Sequence, residues 1–73
     1  MKQAQAIILR AGDPTKDGKV FTPEVLRAVA AKNSGLFTYH SRSLYATVDL
    51  EVPSQVTDAY QLAMTYAAQV TEG

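Results

Sequence analysis

The sequence predicts one small, mainly α domain built from two loop-and-helix units and a short connector. Three observations predict it. A chain of 73 residues is long enough for one domain only. The residues from Thr22 onward carry the signals of a helix start. The segment before Val70 carries apolar residues at helical spacing. Within a single domain of residues 1–73, the expected boundaries are about 12–34 for the first unit, 35–46 for the connector and about 47–71 for the second unit.

Composition excludes several classes of function. Seven Lys and Arg residues balance seven Asp and Glu residues, so the chain lacks the basic surplus typical of nucleic-acid binding. The absence of cysteine excludes disulfides, thiolate zinc sites and thiol catalysis. No apolar run approaches the roughly 20 residues that span a bilayer. We therefore expect neither a nucleic-acid partner nor a membrane span.

The first apolar run, residues 4–10, is too short for its periodicity to decide between a strand and the last turns of a helix. The first helix is predicted to begin at Thr22, a favourable N-cap residue, with Pro23 at the first helical position and Glu24 placed well for the helix dipole. Asn33-Ser34-Gly35 predicts its end, with Asn or Gly in the left-handed conformation.

Residues 44–52 alternate between apolar and polar side chains, which by pattern alone indicates a strand. Its partner would be Leu36–Tyr39, reached across Ser41-Arg42-Ser43, and this hairpin defines a small α+β alternative to the mainly α fold. The predicted apolar face consists of Leu44, Ala46, Val48, Leu50 and Val52. A second helix should begin near Pro53-Ser54 and run to about Val70, with an apolar stripe of Val56, Ala59, Tyr60, Ala63, Ala67 and Val70.

Residues 13–24 have the spacing of a twelve-residue calcium loop. Oxygen-bearing side chains occupy positions 1, 3, 5 and 12, and a glycine at position 6 allows the sharp reversal that the loop needs. The carbonyl of the seventh residue completes a ligand set of Asp13, Thr15, Asp17, Lys19 and Glu24. The same pattern also describes an ordinary capped turn before a helix. The loop carries a net charge of −1, so we expect weak Ca²⁺ binding.

A second window of the same length runs from Thr47 to Asp58, with Asp49 and Glu51 between them at the expected positions. It lacks the glycine, so it is a degenerate loop at best. A strand that ends at Pro53 is the favoured interpretation of this segment.

The first loop resembles the EF-hand family. The order of the segments, a loop, a helix and a linker, is similar to that of a dockerin, most like the ruminococcal type, over roughly residues 7–72. The later part of the chain adds to the likeness through Asp58-Ala59-Tyr60-Gln61-Leu62 and Tyr66-Ala67. The resemblance implies a secreted, calcium-dependent module that docks a cohesin-type partner in a cellulosome-like assembly. The resemblance also implies a partner surface, to which we expect the second helix to contribute. The residues of this surface are Thr22, Pro23, Leu26, Arg27, Ala59, Tyr60, Ala63 and Met64.

A hypothesis of another class is a phage or bacterial structural protein of small α+β fold that needs no metal. Catalysis has little support: His40 lies beside Ser41 and Ser43, but the array and oxyanion hole of a hydrolase have no counterpart here, so we expect no enzyme. A thermal melt separates the two hypotheses. The dockerin-like interpretation predicts that calcium raises the melting temperature and that Asp13→Ala removes the rise.

Overall fold

The computed structural model describes residues 2–72, which form three strands and two helices in the order β-α-β-β-α. The strands are β1 (Gln3–Arg10), β2 (Phe37–His40) and β3 (Ser43–Asp49), and the helices are α1 (Pro23–Lys32) and α2 (Ser54–Glu72). The prediction of a mainly α fold is therefore wrong. The fold is α+β, with 41% helix and 27% strand, because most of the expected connector forms sheet.

The sheet is antiparallel and has the order β1-β3-β2, so β3 is its central strand. In the β2–β3 hairpin Phe37 lies opposite Ala46 and His40 opposite Ser43. Ser41 and Arg42 form the two-residue turn, both with positive φ (51° and 64°). A turn with two left-handed residues matches the twist of the flanking strands. The α+β alternative, with its hairpin across this turn, describes the observed arrangement.

Strand β1 pairs with β3 through residues far away in sequence, with Ala6 opposite Ala46. The register shifts between Ile7 and Leu9, so one residue of β1 has no opposite partner in β3. The bulge allows two consecutive residues, Ile8 and Leu9, to be buried. Residues 4–10 are thus a strand, a choice that the local pattern left open.

Helix α1 begins as the sequence predicts, because the Thr22 Oγ1 accepts a hydrogen bond from the Val25 amide at 3.3 Å. Its predicted left-handed ending is wrong. Asn33 has φ −147° and ψ 73°, and Gly35 does not have positive φ. Instead the Asn33 carbonyl accepts hydrogen bonds from the amides of Leu36 (3.1 Å) and Phe37 (2.8 Å), which leads the chain directly into β2.

Both helices pack on one face of the sheet, α1 against β2 and β3 and α2 against β1 and β3. Three small residues of α2 are buried and let the helix lie close to the sheet: Ala59, Ala63 and Ala67. Phe37 meets Tyr66 edge to face, with ring centroids 6.4 Å apart. The predicted apolar face of β3 is buried through Leu44, Ala46 and Val48. It does not continue to Leu50 and Val52, which are 53% and 40% exposed because the strand ends at Asp49.

Candidate functional site

The loop between β1 and α1 is closed by hydrogen bonds within itself. The Gly12 amide donates to the Phe21 carbonyl at 3.0 Å, and the Thr15 amide donates to the Lys19 carbonyl at 2.8 Å. The Lys19 amide in turn donates to the Thr15 Oγ1 at 3.2 Å. Gly18 has φ +79°, so the glycine makes the sharp reversal that the motif requires.

The structure brings two of the predicted calcium ligands together, Thr15 and Lys19, but does not group the acidic ones. The Asp13, Asp17 and Glu24 residues are all exposed, and the Asp13 carboxylate lies 3.7 Å from the Arg10 guanidinium. The Lys19 carbonyl and the Thr15 hydroxyl already accept hydrogen bonds from the loop itself. Within residues 2–72 no three acidic or histidine side chains form a group that could hold a metal ion. Calcium binding at this loop stays a prediction.

The window proposed as a degenerate second loop, residues 47–58, spans the last residues of β3, the turn at residues 50–53 and the first residues of α2. The Asp49 Oδ1 accepts a hydrogen bond from the Glu51 amide at 2.9 Å, and the Asp49 amide donates to the Gln55 Oε1 at 2.8 Å. A side chain that accepts from the backbone two residues later ends a strand and starts a turn. Asp49 therefore shapes the chain reversal.

The predicted partner surface is divided between core and solvent. Leu26, Ala59 and Ala63 belong to the hydrophobic core, whereas Thr22 and Arg27 are exposed. The remaining members, Pro23, Tyr60 and Met64, are partly buried. The Arg27 guanidinium lies over the ring of Tyr39, 5.3 Å from its centroid. A partner can therefore reach only part of this set while the core is intact.

An apolar groove lies between α2 and the edge of the helix-covered sheet face. It has a volume of about 200 Å³, and aliphatic side chains line most of it: Leu36, Val48, Ala59 and Leu62, with Thr47, Gln55 and Asp58 completing the lining. The exposed Leu50 and Val52 lie in the turn that leads to α2. Sequence reasoning missed this groove because Leu36 reaches α2 only through the tertiary fold. The sequence offers one local signal for the groove, namely the two aliphatic residues Leu50 and Val52 in the turn before α2.

One acidic residue lines the groove, and two more, Asp49 and Glu51, stand at the end of β3 and in the turn after it. Asp58 lines it directly. The Asp49 backbone amide donates to the groove residue Gln55, whereas the Asp49 carboxylate accepts from the backbone amides of Glu51 and Lys2. The groove thus combines an apolar floor with one carboxylate in its lining, a pattern that fits an apolar side chain next to a positive charge.

A second cavity of about 180 Å³ lies on the opposite side of α2, lined by Lys16, Val56, Thr57 and Tyr60. The Tyr60 hydroxyl is enclosed, and within residues 2–72 it has no hydrogen-bond partner. An enclosed hydroxyl without a partner destabilises the folded state.

Comparison of the chain with protein-family models, curated proteins and solved structures gave no match. Neither described helix combines the length and the apolar character that crossing a membrane requires.

Proposed function

We propose that this chain is a structural, protein-binding domain of a phage or bacterial assembly, which folds as a small α+β unit without a metal ion. The observation that carries the proposal is the apolar groove, whose lining includes one carboxylate, that of Asp58. Two exposed aliphatic residues, Leu50 and Val52, lie in the turn before α2. Concave apolar surfaces with a few charged groups at the rim are typical of protein-binding sites.

Metal-independent folding is supported by the way the core closes. The largest fully buried side chains, Phe37, Leu26, Leu44 and Val29, come from both hairpin strands and from α1. The loop that resembles a calcium site contributes Phe21 to this core and holds its own shape through the Thr15–Lys19 hydrogen bonds. Apolar burial supplies folding free energy that requires no ligand, and under this proposal the loop holds its shape without an ion.

A thermal melt tests the proposal. Wild-type protein and Asp13→Ala are melted in millimolar calcium and in EDTA, with Glu72→Ala, an exposed acid at the end of α2, as the matched control. The proposal predicts the same melting temperature with and without calcium for all three proteins. A rise in calcium that Asp13→Ala removes and Glu72→Ala retains would contradict it.

The calcium-stabilised, dockerin-like module remains a second candidate. It is favoured by the left-handed Gly18 and by the exposed Asp17 and Glu24 on either side of the predicted reversal. Under this proposal the exposed Thr22 and Arg27 would meet a cohesin-type partner of a secreted assembly. It requires the calcium-dependent rise in melting temperature described above, because metal binding would then contribute folding free energy.

A further inference from the structure

We infer that the apolar groove binds the loop of a second copy of this chain, so that copies join head to tail. The inference rests on the proposed structural function and names its partner. The two surfaces are the groove-forming side of α2 and the loop tip, defined as residues 15–20.

The loop tip presents an apolar anchor directly after two positive charges. Val20 is 59% exposed and follows Lys19, and Lys16 stands three residues before Lys19 in the same tip. The hydrogen bonds between Thr15 and Lys19 hold the tip in one conformation. A preorganised loop loses little conformational entropy when it binds, so more of the contact energy appears as affinity.

The groove has the size and the chemistry for such an anchor. Its volume of about 200 Å³ lies below the range of roughly 300–1,000 Å³ typical of small-molecule pockets, whereas one aliphatic side chain needs far less space. Asp58 lines the groove. Lys19, the neighbour of Val20, in one copy would therefore face the Asp58 carboxylate of the next.

The two surfaces lie on opposite sides of α2. The groove uses Asp58, Ala59 and Leu62, while Lys16 of the loop lies beside Val56 and Tyr60. At 100° per residue these two sets point in nearly opposite directions from the helix axis. A copy therefore does not fill its own groove. The contact is heterologous, and repetition of such a contact builds a ring or a filament.

Charge distribution favours a second copy over an unrelated partner. The chain has no net charge, so copies do not repel one another as a whole. The loop tip carries a net positive charge, and the groove lining carries the negative charge of Asp58. One chain thus supplies both complementary surfaces. Such charge pairs strengthen association at low salt and weaken as salt screens them.

Sedimentation velocity across a concentration series tests the inference. We expect the wild-type sedimentation coefficient to rise with protein concentration, and the rise to shrink at high salt. Val20→Thr and Asp58→Lys should each weaken association by about tenfold or more. Ile7→Thr, which changes an equally exposed aliphatic residue on the uncovered sheet face, is the matched control and should associate like wild type. Melting temperatures confirm that each variant is folded.

A charge swap gives the sharpest outcome. Lys19→Glu combined with Asp58→Lys should recover most of the association that Asp58→Lys loses. The inference is overturned if the wild type stays monomeric at every concentration, or if Val20→Thr and Asp58→Lys associate like the wild type. If the protein is monomeric and its melting temperature is the same with and without calcium, only this inference is overturned. A calcium-dependent melt that requires Asp13 overturns the proposed function instead.

Discussion

The Tyr60 hydroxyl allows a direct test of how α2 packs. It is enclosed, and no group among residues 2–72 donates to it or accepts from it. The ring itself is partly buried and packs against the core. Tyr60→Phe removes the hydroxyl and keeps the ring, so the substitution isolates the cost of one enclosed polar group.

The structure indicates that this substitution is stabilising. A buried hydroxyl without a hydrogen bond costs about 1–3 kcal/mol in proteins. The loss of the oxygen's packing contacts offsets part of this gain, so we expect a net gain of about 1 kcal/mol in the free energy of unfolding. For a domain of this size, that gain raises the melting temperature by about 4–8 °C.

Thermal and urea denaturation, followed by circular dichroism, measure the effect. Tyr45→Phe is the matched control, because Tyr45 lies on the uncovered face of β3, and its effect should stay within about 0.5 kcal/mol. A melting temperature that falls in Tyr60→Phe would show that the hydroxyl makes a stabilising hydrogen bond. That result would refute the reasoning.

Three further substitutions test the core, the helix start and the loop by urea denaturation. Leu44→Ala, at a fully buried site of the central strand, should cost about 2–5 kcal/mol; a cost below 1 kcal/mol would place Leu44 outside the core. Thr22→Ala should lower the free energy of unfolding by about 1 kcal/mol, because alanine cannot accept the capping hydrogen bond. Asparagine can accept it, so Thr22→Asn should cost much less, and equal costs would exclude capping. Gly18→Ala should cost about 1–2 kcal/mol through its left-handed backbone alone, since nothing lies within 4 Å of the added Cβ; no cost would contradict the observed φ.

Features with local causes could be predicted from the sequence. The start of α1 follows from Thr22 and Pro23, whose capping and backbone preferences act within one turn. The start of α2 near Ser54 was also predicted. Alternation in residues 44–48 indicated the buried face of β3, and the hairpin with β2 was the stated alternative.

Features with long-range causes could not be predicted. Strand β1 exists because it pairs with β3 some forty residues later, and a seven-residue apolar run contains no trace of that pairing. The prediction of a mainly α fold is wrong because the two helix signals are local, and neither of them indicates that residues 37–49 form a sheet with β1. The groove depends on Leu36 lying beside α2, which only the assembled sheet determines.

Amide hydrogen exchange in EDTA tests the central claim most directly, namely that this chain forms its α+β fold without a metal ion. The amides of β3 (Ser43–Asp49) lie between two partner strands and should be among the most protected in the protein. The account predicts the same strong protection of β3 in EDTA and in millimolar calcium. Rapid exchange throughout β3 in EDTA, with protection appearing only when calcium is added, would contradict it.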